Sequence, residues 1–349
     1  MSNLAQPLVI DAAAVDVGFF ATKFTLGRRN DGAIDVDQFP SEVAPAPNGL
    51  VTMPFGKRPD GFVVEVDAAK YFVGKDVPNM VKSYGARAVS PEYSTTPSYK
   101  ALFLGALAHL AGHFGASHHV EIKRLIVGLP LSTVGSHNLA LKRMVEGTHQ
   151  IALDDGRLPV RVHVANATVV AQPMGALFNV GLGRSKRGNT LILDMGGGTF
   201  DWFVCRGVTP NLQRCGAAPI GMLSCAAVVC ERIKPNLSTD RDIMARVDEA
   251  LRLSQSTVFV TGRDIELAPY LPEVDAELHK ALEAMLKSVG PLDNIDFILM
   301  TGGGASLLSK VAATKLRDYQ HLINMDPEPA TSNVRGFHVM AEFLNGQMA

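Results

Sequence analysis

The chain has 349 residues, with 33 Lys and Arg against 34 Asp and Glu and a formal net charge of −1. That length exceeds what one core usually serves, so two domains are expected, and the near-cancelled charge gives no field that would hold nucleic acid directly. No apolar run reaches the roughly 18 residues of a spanning helix, and the opening MSNLAQPLVIDAAAV lacks the pattern of a secretion signal, so a cytoplasmic location away from membranes is expected. Cys205, Cys215, Cys225 and Cys230 form no CxxC pair and read as reduced buried thiols rather than zinc ligands. His113, His118 and His119 have no acidic or cysteine partner at ligand spacing and read as a solvated helix end.

Along the chain, Ala14 to Leu26 is apolar and β-branched around a polar centre, which predicts a hairpin turning near Gly18 with Asp16 at its turn. From about Pro40 to Pro97 prolines, glycines and isolated charges dominate; only Gly61 to Val66 is strand-like, and the segment reads as a smaller inserted subdomain. Tyr99 to Phe114 has helical spacing, and Arg124 to Leu129 is a short apolar run stopped by Pro130, giving a helix and then a buried strand. His137 to Glu146 predicts another helix, and Val160, Val162 and Val164 alternate as a strand does. Pro173 then opens a helix through Val180, since a first-turn proline has no helical N–H to lose. Beyond the basic loop Gly183 to Gly188 the order begins again, with a strand at Thr190 to Asp194, a glycine turn and a strand at Thr199 to Arg206. Helices at Ile220 to Ile233 and Arg241 to Leu253, a strand at Thr257 to Thr261 and a long helix from Asp275 to Val289 follow. The strand Phe297 to Met300, a helix from Leu307 to Leu316 and a closing helix from Asn333 to Leu344 complete the pattern.

Two segments carry the features of a phosphate site: Val15-Asp16-Val17-Gly18-Phe19-Phe20-Ala21-Thr22-Lys23 opens the first half, and Asp194-Met195-Gly196-Gly197-Gly198-Thr199-Phe200-Asp201 opens the second. Each ends an apolar strand on a carboxylate and follows it with glycine, which lets backbone N–H groups approach a phosphate closely. Two acids facing a polyphosphate would repel it unless a hard cation such as Mg2+ sits between them, held largely through water. Lys23 adds a compensating charge. Singly, an acid before a glycine is an ordinary turn; the pairing is what points to a phosphate. A third glycine turn, Thr301-Gly302-Gly303-Gly304-Ala305-Ser306, joins a buried strand to a helix and suits an anionic or planar ligand, with a tight connection as its plain alternative. Neither GxxxxGK[ST] nor a GxGxxG after a strand is present, which disfavours P-loop hydrolysis and dinucleotide redox chemistry.

These residues resemble the actin, Hsp70 and sugar-kinase superfamily over nearly the whole chain. DVGFFATK looks like its first phosphate hairpin, although Phe19 and Phe20 depart from the usual D-x-G-x-x-x-x-K tip; LILDMGGGTFD looks like the second, and MTGGGASLL like the adenosine loop. AQPMGALFN and NVRGFHVMAEF look like the two connecting helices, and their QPxGALF and NxRGF phrases resemble the plasmid-segregation actins of the ParM/StbA type. Hsp70 would need a long substrate-binding region after the ATPase, and none is expected here.

The resemblance implies an α/β fold of two actin-like, ribonuclease-H-like duplicated domains with a nucleotide cleft between them. Domain I would comprise residues 1–170 and 334–349, with the subdomain at about 40–97, and domain II residues 171–333. It implies ATP and Mg2+ as cofactors, with Asp16 and Asp194 orienting the hydrated metal as part of the catalytic set. Gly18, Thr22, Lys23, Gly196, Gly197, Gly198 and Thr199 would surround the phosphates, and Gly302, Gly303 and Gly304 the adenosine. Gln172 matches the residue that orients the attacking water; lying before Pro173, it is pushed to extended geometry, and a capping or surface amide is its alternative. Asp201 reads equally as a further acid of the site or a strand-edge charge. Helices near Arg232 and Arg246 are expected around the base. The resemblance further implies slow hydrolysis coupled to self-association into filaments and a DNA-bound adaptor protein as partner.

Two rival readings remain at this level. A small-molecule kinase of the same superfamily would need a carboxylate base, for which the inserted segment offers Glu65, Asp67 and Asp76, though the chain is short for a sugar kinase. A nucleotide-gated adaptor or membrane-division actin often carries an amphipathic tail, which AEFLNGQMA is too short and too weakly basic to supply. ATP and GTP are not distinguished.

Overall fold

Strands Leu8–Val17 (β1) and Ala21–Arg28 (β2) form the expected hairpin, with Asp16 opposite Lys23 and Val17 opposite Thr22. The structure, a computed structural model, describes residues 7–46, 59–81, 90–115, 119–151, 159–180 and 188–346. Ile34–Pro40 (β3) extends the hairpin, and Ala44–Pro45 (β4), Phe62–Val66 (β5) and Ala69–Val73 (β6) make a small separate sheet. Much of the expected insert, 47–58 and 82–89, lies outside the described residues. Pro97–His113 (α1) has no continuous polar face and is accordingly buried along most of its length; Thr96 caps it by accepting the Tyr99 N–H at 3.2 Å.

His119–Leu129 (β7) runs parallel to β1, and Leu131–Val145 (α2) starts directly after Pro130, earlier than its apolar spacing suggests. Gly147–Ile151 (β8), absent from the sequence pattern, pairs with Val160–Val164 (β9). The chain does not pass from β9 straight into a helix. Ala167–Ala171 (β10) comes between, and both β9 and β10 pair with β7, with Ala165 N–H bonded to Ile122 O and Asn166 O accepting Leu125 N–H. They are one strand kinked at Ala165 and Asn166. This continuation delivers the chain to the carboxyl end of β7, where Gln172–Asn179 (α3) begins.

The plan then repeats. Asn189–Met195 (β11) and Phe200–Arg206 (β12) form a second hairpin, extended by Thr209–Pro210 (β13) and Gly216–Ala218 (β14). Met222–Ile233 (α4) and Arg241–Arg252 (α5) follow, then a hairpin of Thr257–Val260 (β15) and Arg263–Glu266 (β16) and the helix Leu271–Val289 (α6). Phe297–Thr301 (β17) runs parallel to β11 as β7 does to β1; Ala305–Lys315 (α7), Ile323–Met325 (β18) and Ser332–Gly346 (α8) complete the chain. Of the basic loop at 183–188, only Gly188 is described.

The first sheet has the order β3-β2-β1-β7-β9-β8 and the second β13-β12-β11-β17-β18. Their central strands are buried on both faces, which is why they read as continuous apolar runs. On β11 and β12, Leu191, Leu193, Trp202 and Val204 join the main core of the second lobe, while the alternate residues Ile192 and Phe203 face α3 with Ala176 and Leu177. On the first sheet, Ala14 and Ile126 receive Val334 and Phe337 of α8. The two connecting helices are thus exchanged: α3 follows the first sheet and packs on the second, and α8 does the reverse. No helix among the described residues is long and apolar enough to cross a membrane.

Candidate active site

Asp16 and Asp194 occupy the same place in the two lobes, at the carboxyl end of a central strand and on the face covered by the exchanged helices. Parallel α/β sheets present ligand sites at such strand ends. The hairpins match in detail: Gly18 N–H bonds Ala21 O at 3.1 Å, and Gly196 N–H bonds Thr199 O at 2.9 Å. Between them lies a cavity of about 340 Å³, lined by Asp16, Gly18, Lys23, Gln172, Asp194, Gly196, Gly197, Gly198, Thr199, Gly302 and Gly303 among others.

Two expected residues lie elsewhere. Thr22 faces the opposite side of β2 from Lys23, as strand alternation requires; it is buried and its hydroxyl is hydrogen-bonded to that of Ser41 at 2.9 Å. Gly304 N–H bonds Met195 O at 2.9 Å, and a side chain there would strike Met195 and Met222, so this glycine serves packing. Arg232 pairs with Glu273 at 2.9 Å and Arg246 with Asp242, and neither lines the cavity. The residues of α5 that do are Arg252 and its buried partner Asp248, 2.7 Å apart. Helical spacing marked α5 but not which of its arginines turns inward. Glu65, Asp67 and Asp76, the carboxylates a kinase would draw on, are also absent from the lining.

The second glycine turn is fixed by α4. The Met222 N–H bonds Gly196 O at 3.0 Å, and the Leu223 N–H bonds Gly197 O at 2.9 Å. A trans peptide points its C=O and the next N–H in opposite directions, so the N–H groups of Gly197 and Gly198 are turned away from α4, toward the open side. Gly302 closes the floor with φ +86°, a conformation and a position that admit no side chain, since a Cβ would lie 2.4 Å from Asp194 Oδ1.

Each aspartate holds an amide. Gln172 Nε2 donates to Asp16 Oδ1 at 2.7 Å, and Asn333 Nδ2 donates to Asp194 Oδ2 at 2.6 Å. Asn333 is the first residue of the NxRGF phrase, and nothing in its local sequence marks it as a partner of Asp194. Burial pushes the Asp194 carboxyl up to about 6, with the nearby Asp16 charge adding to the rise and Asn333 and Lys23 opposing it. Burial likewise pushes Asp201 up to about 7; it accepts the Thr199 hydroxyl at 2.7 Å and, across the lobes, the Leu131 N–H at 3.2 Å. Asp201 is therefore a buried acid behind the turn, resolving its two readings. An aromatic wall of Phe19 stacked on Tyr93 at 5.0 Å, with Tyr99 edge-on at 5.4 Å, bounds the first-lobe side. Burial and the Asp16 carboxylate hold the Tyr99 hydroxyl well above its usual range. His113 ends α1 exposed and His119 is half-buried on β7, while His118 lies outside the described residues. Among the described residues no group of three or more His, Cys, Asp or Glu is placed to hold a metal directly.

The "Actin like proteins N terminal domain" profile matches residues 14–175, and that of "Archaeal actin homologue MreB-like, C-terminal" matches residues 192–313. The chain belongs to the actin-like proteins. No curated protein sequence matched it. Among solved structures, the archaeal actin homologue Ta0583 superposes with a TM-score of 0.73 at 17% identity, covering 96% of this chain and 99% of its own; it is also known in complex with ADP, with a TM-score of 0.69 at 18% identity and the same coverage. ParM of Bacillus thuringiensis with AMPPNP gives 0.66 at 15% identity over 96% and 99% of the two chains. The Alp12 filament structure gives 0.64 at 14% over 97% and 99%. The fold is therefore the two-domain actin-like fold of ParM and archaeal actin homologues.

Proposed function

We propose that the protein binds ATP with Mg2+ in the cleft, hydrolyses it slowly and assembles into filaments that act in DNA segregation through a DNA-bound adaptor. The observation that carries the reading is the pair of equivalent aspartates, Asp16 and Asp194, facing one cavity across two glycine turns. Burial is the main cause of the raised Asp194 carboxyl and the Asp16 charge a smaller one; a cation between the two would offset that like-charge contribution. Two carboxylates, joined among the described residues by no third His, Cys, Asp or Glu, suit a divalent ion that keeps most of its water. When bound, Mg2+ would neutralise phosphate charge.

Lys23 and the Gly197 and Gly198 N–H groups are suited to hold phosphate oxygens. Gln172, with its Nε2 committed to Asp16, presents its Oε1 to accept from a water; an amide is no base, so its part is to orient. The ADP and AMPPNP complexes of the relatives and the Alp12 filament support nucleotide binding and assembly here. A head-to-tail interface that does not close on itself propagates into such a filament. The exchange of α3 and α8 supports a division into residues 1–170 with 334–349 and 171–333, each helix being counted with the sheet it packs on.

The test is 90° light scattering together with phosphate release after Mg2+-ATP is added to the protein and to Asp194→Ala. Scattering and release that both depend on Asp194 are expected. Phosphate release without scattering at any protein concentration would leave an ATPase that does not assemble.

A further inference from the structure

The crossing of α3 and α8 has one plan on both sides. Gln172 is the first residue of α3, with Gly175 three residues on; Asn333 is the second residue of α8, with Gly336 three residues on. The two glycines bring the helices together backbone to backbone. A Cβ on Gly336 would lie 1.6 Å from the Gly175 carbonyl oxygen, and one on Gly175 would lie 2.3 Å from that of Asn333. Each amide therefore stands about one helical turn from the contact point and holds one strand-end carboxylate.

Asn333 does more than Gln172. Its Nδ2 donates to Asp194 while its Oδ1 accepts the N–H of Ala176 in α3 at 3.2 Å. The amide is planar, so these two bonds have a fixed relation, and a shift of the Asp194 carboxylate pulls on α3. The start of α8 is itself anchored: buried Asp326 accepts from Asn179 of α3 at 2.6 Å, from the Ser332 hydroxyl at 2.6 Å and from Arg335 at 3.0 Å. Because α3 packs on the second sheet and α8 on the first, any rotation of one lobe against the other must be absorbed at this crossing.

We propose that Asn333 is a positioning residue for Asp194, the second lobe's counterpart of Gln172, and that it couples the state of that carboxylate to the crossing on which the lobes turn. The inference rests on the nucleotide reading above. It concerns a side chain whose bonds both run to other elements, α3 and β11, so it is no cap of its own helix.

Calorimetric titration of ADP, with and without Mg2+, tests it on the wild type, Asn333→Leu, Asp194→Asn and the double variant. Leucine keeps the branched outline, with somewhat larger terminal groups, and removes donor and acceptor. Losing a hydrogen bond to a charged group is expected to weaken Mg2+-dependent ADP binding roughly tenfold or more, with binding in the absence of Mg2+ held within about twofold. The double variant should then bind as Asp194→Asn does alone, because a residue acting through Asp194 has nothing left to act on. Equal losses with and without Mg2+, or a full additive loss in the double variant, would make Asn333 a structural part of the crossing and end the proposal. If the leucine variant fails to melt cooperatively, Asn333→Ser supplies the same comparison with a shortened arm. A wild type that binds no ADP under either condition overturns the nucleotide reading and this inference together; a wild type that binds normally beside an unaltered Asn333→Leu overturns this inference alone.

Discussion

Lys23 and Asp201 occupy equivalent positions in the two hairpins, each directly across the strand pair from the aspartate of the cleft: Asp16 pairs with Lys23 and Asp194 with Asp201. The first aspartate thus has a cation beside it and the second a further acid. Burial holds the Asp201 carboxyl at about 7. The folded protein then keeps a proton that the unfolded chain, with an ordinary carboxylate near 4, has lost.

Stability is accordingly predicted to fall as pH rises from about 4 to about 7 and to level off above that, with Asp194, at about 6, acting in the same direction. Asp201→Asn keeps the shape and removes the charge. In urea unfolding it should exceed the wild type by on the order of 4 kcal/mol at pH 8 and match it near pH 4. A difference that does not change with pH would mean that Asp201 ionises as an exposed carboxylate does.

The same substitution in two helices should act with opposite signs. Gly336→Ala in α8 drives a methyl into the Gly175 carbonyl, where only a separation of the two backbones relieves it. A loss of about 3 kcal/mol or more is expected. Gly135, exposed in α2, has nothing within 4 Å of where a Cβ would sit, so Gly135→Ala should gain roughly 0.5–1 kcal/mol from the unfolded chain's lower entropy. Thermal melts of both variants decide it, and a mild Gly336→Ala would show that the crossing is loosely packed.

Both hairpins and the glycine turn after β17 were legible because strand, acid and glycine are contiguous in sequence. Thr22 was misplaced because a motif gives spacing but not the face of the strand; its opposition to Val17 puts it in the core. The polar Asn166 at the kink hides the extension of β9 into β10, because a polar residue after an apolar alternation reads as the end of a strand. Asn333 and Arg252 are beyond local reading: Asn333 is defined by a partner 139 residues away, Asp194, and Arg252 by the inward turn of one arginine among several on a helix. The small strands β16 and β18 are too short to show an alternation of their own.

Burial also governs the thiols. Cys205, Cys225 and Cys230 are pushed up to about 12, and half-buried Cys215 is raised as well while its Sγ donates to Asn211 O at 3.2 Å. At pH 8 a disulfide reagent should find no fast thiol in the folded protein, with Cys215 leading a slow reaction and all four reacting once it is unfolded. Cys215→Ser should remove the leading phase; a rapid phase that survives that change would place a second thiol at the surface.

Phe20 carries the first hairpin across the cleft. Its ring lies under the Arg252 guanidinium, 5.2 Å from centroid to carbon, and a Cβ on Gly197 would come within 2.9 Å of its own Cβ. The tip of one lobe therefore rests on a turn and a cation of the other, and Arg252 is held for this contact by buried Asp248. A cation over an aromatic face contributes about 0.5–2 kcal/mol, more as water is excluded. Phe20→Leu preserves apolar volume and removes the ring face; Arg252→Met preserves the stem and removes the charge. If the contact spans the lobes as the geometry has it, unfolding measurements on the two single variants and the double variant should return a coupling of about 0.5–2 kcal/mol. No coupling would reduce Phe20 to packing against Gly197, and the cleft would then be bridged at this end by shape alone.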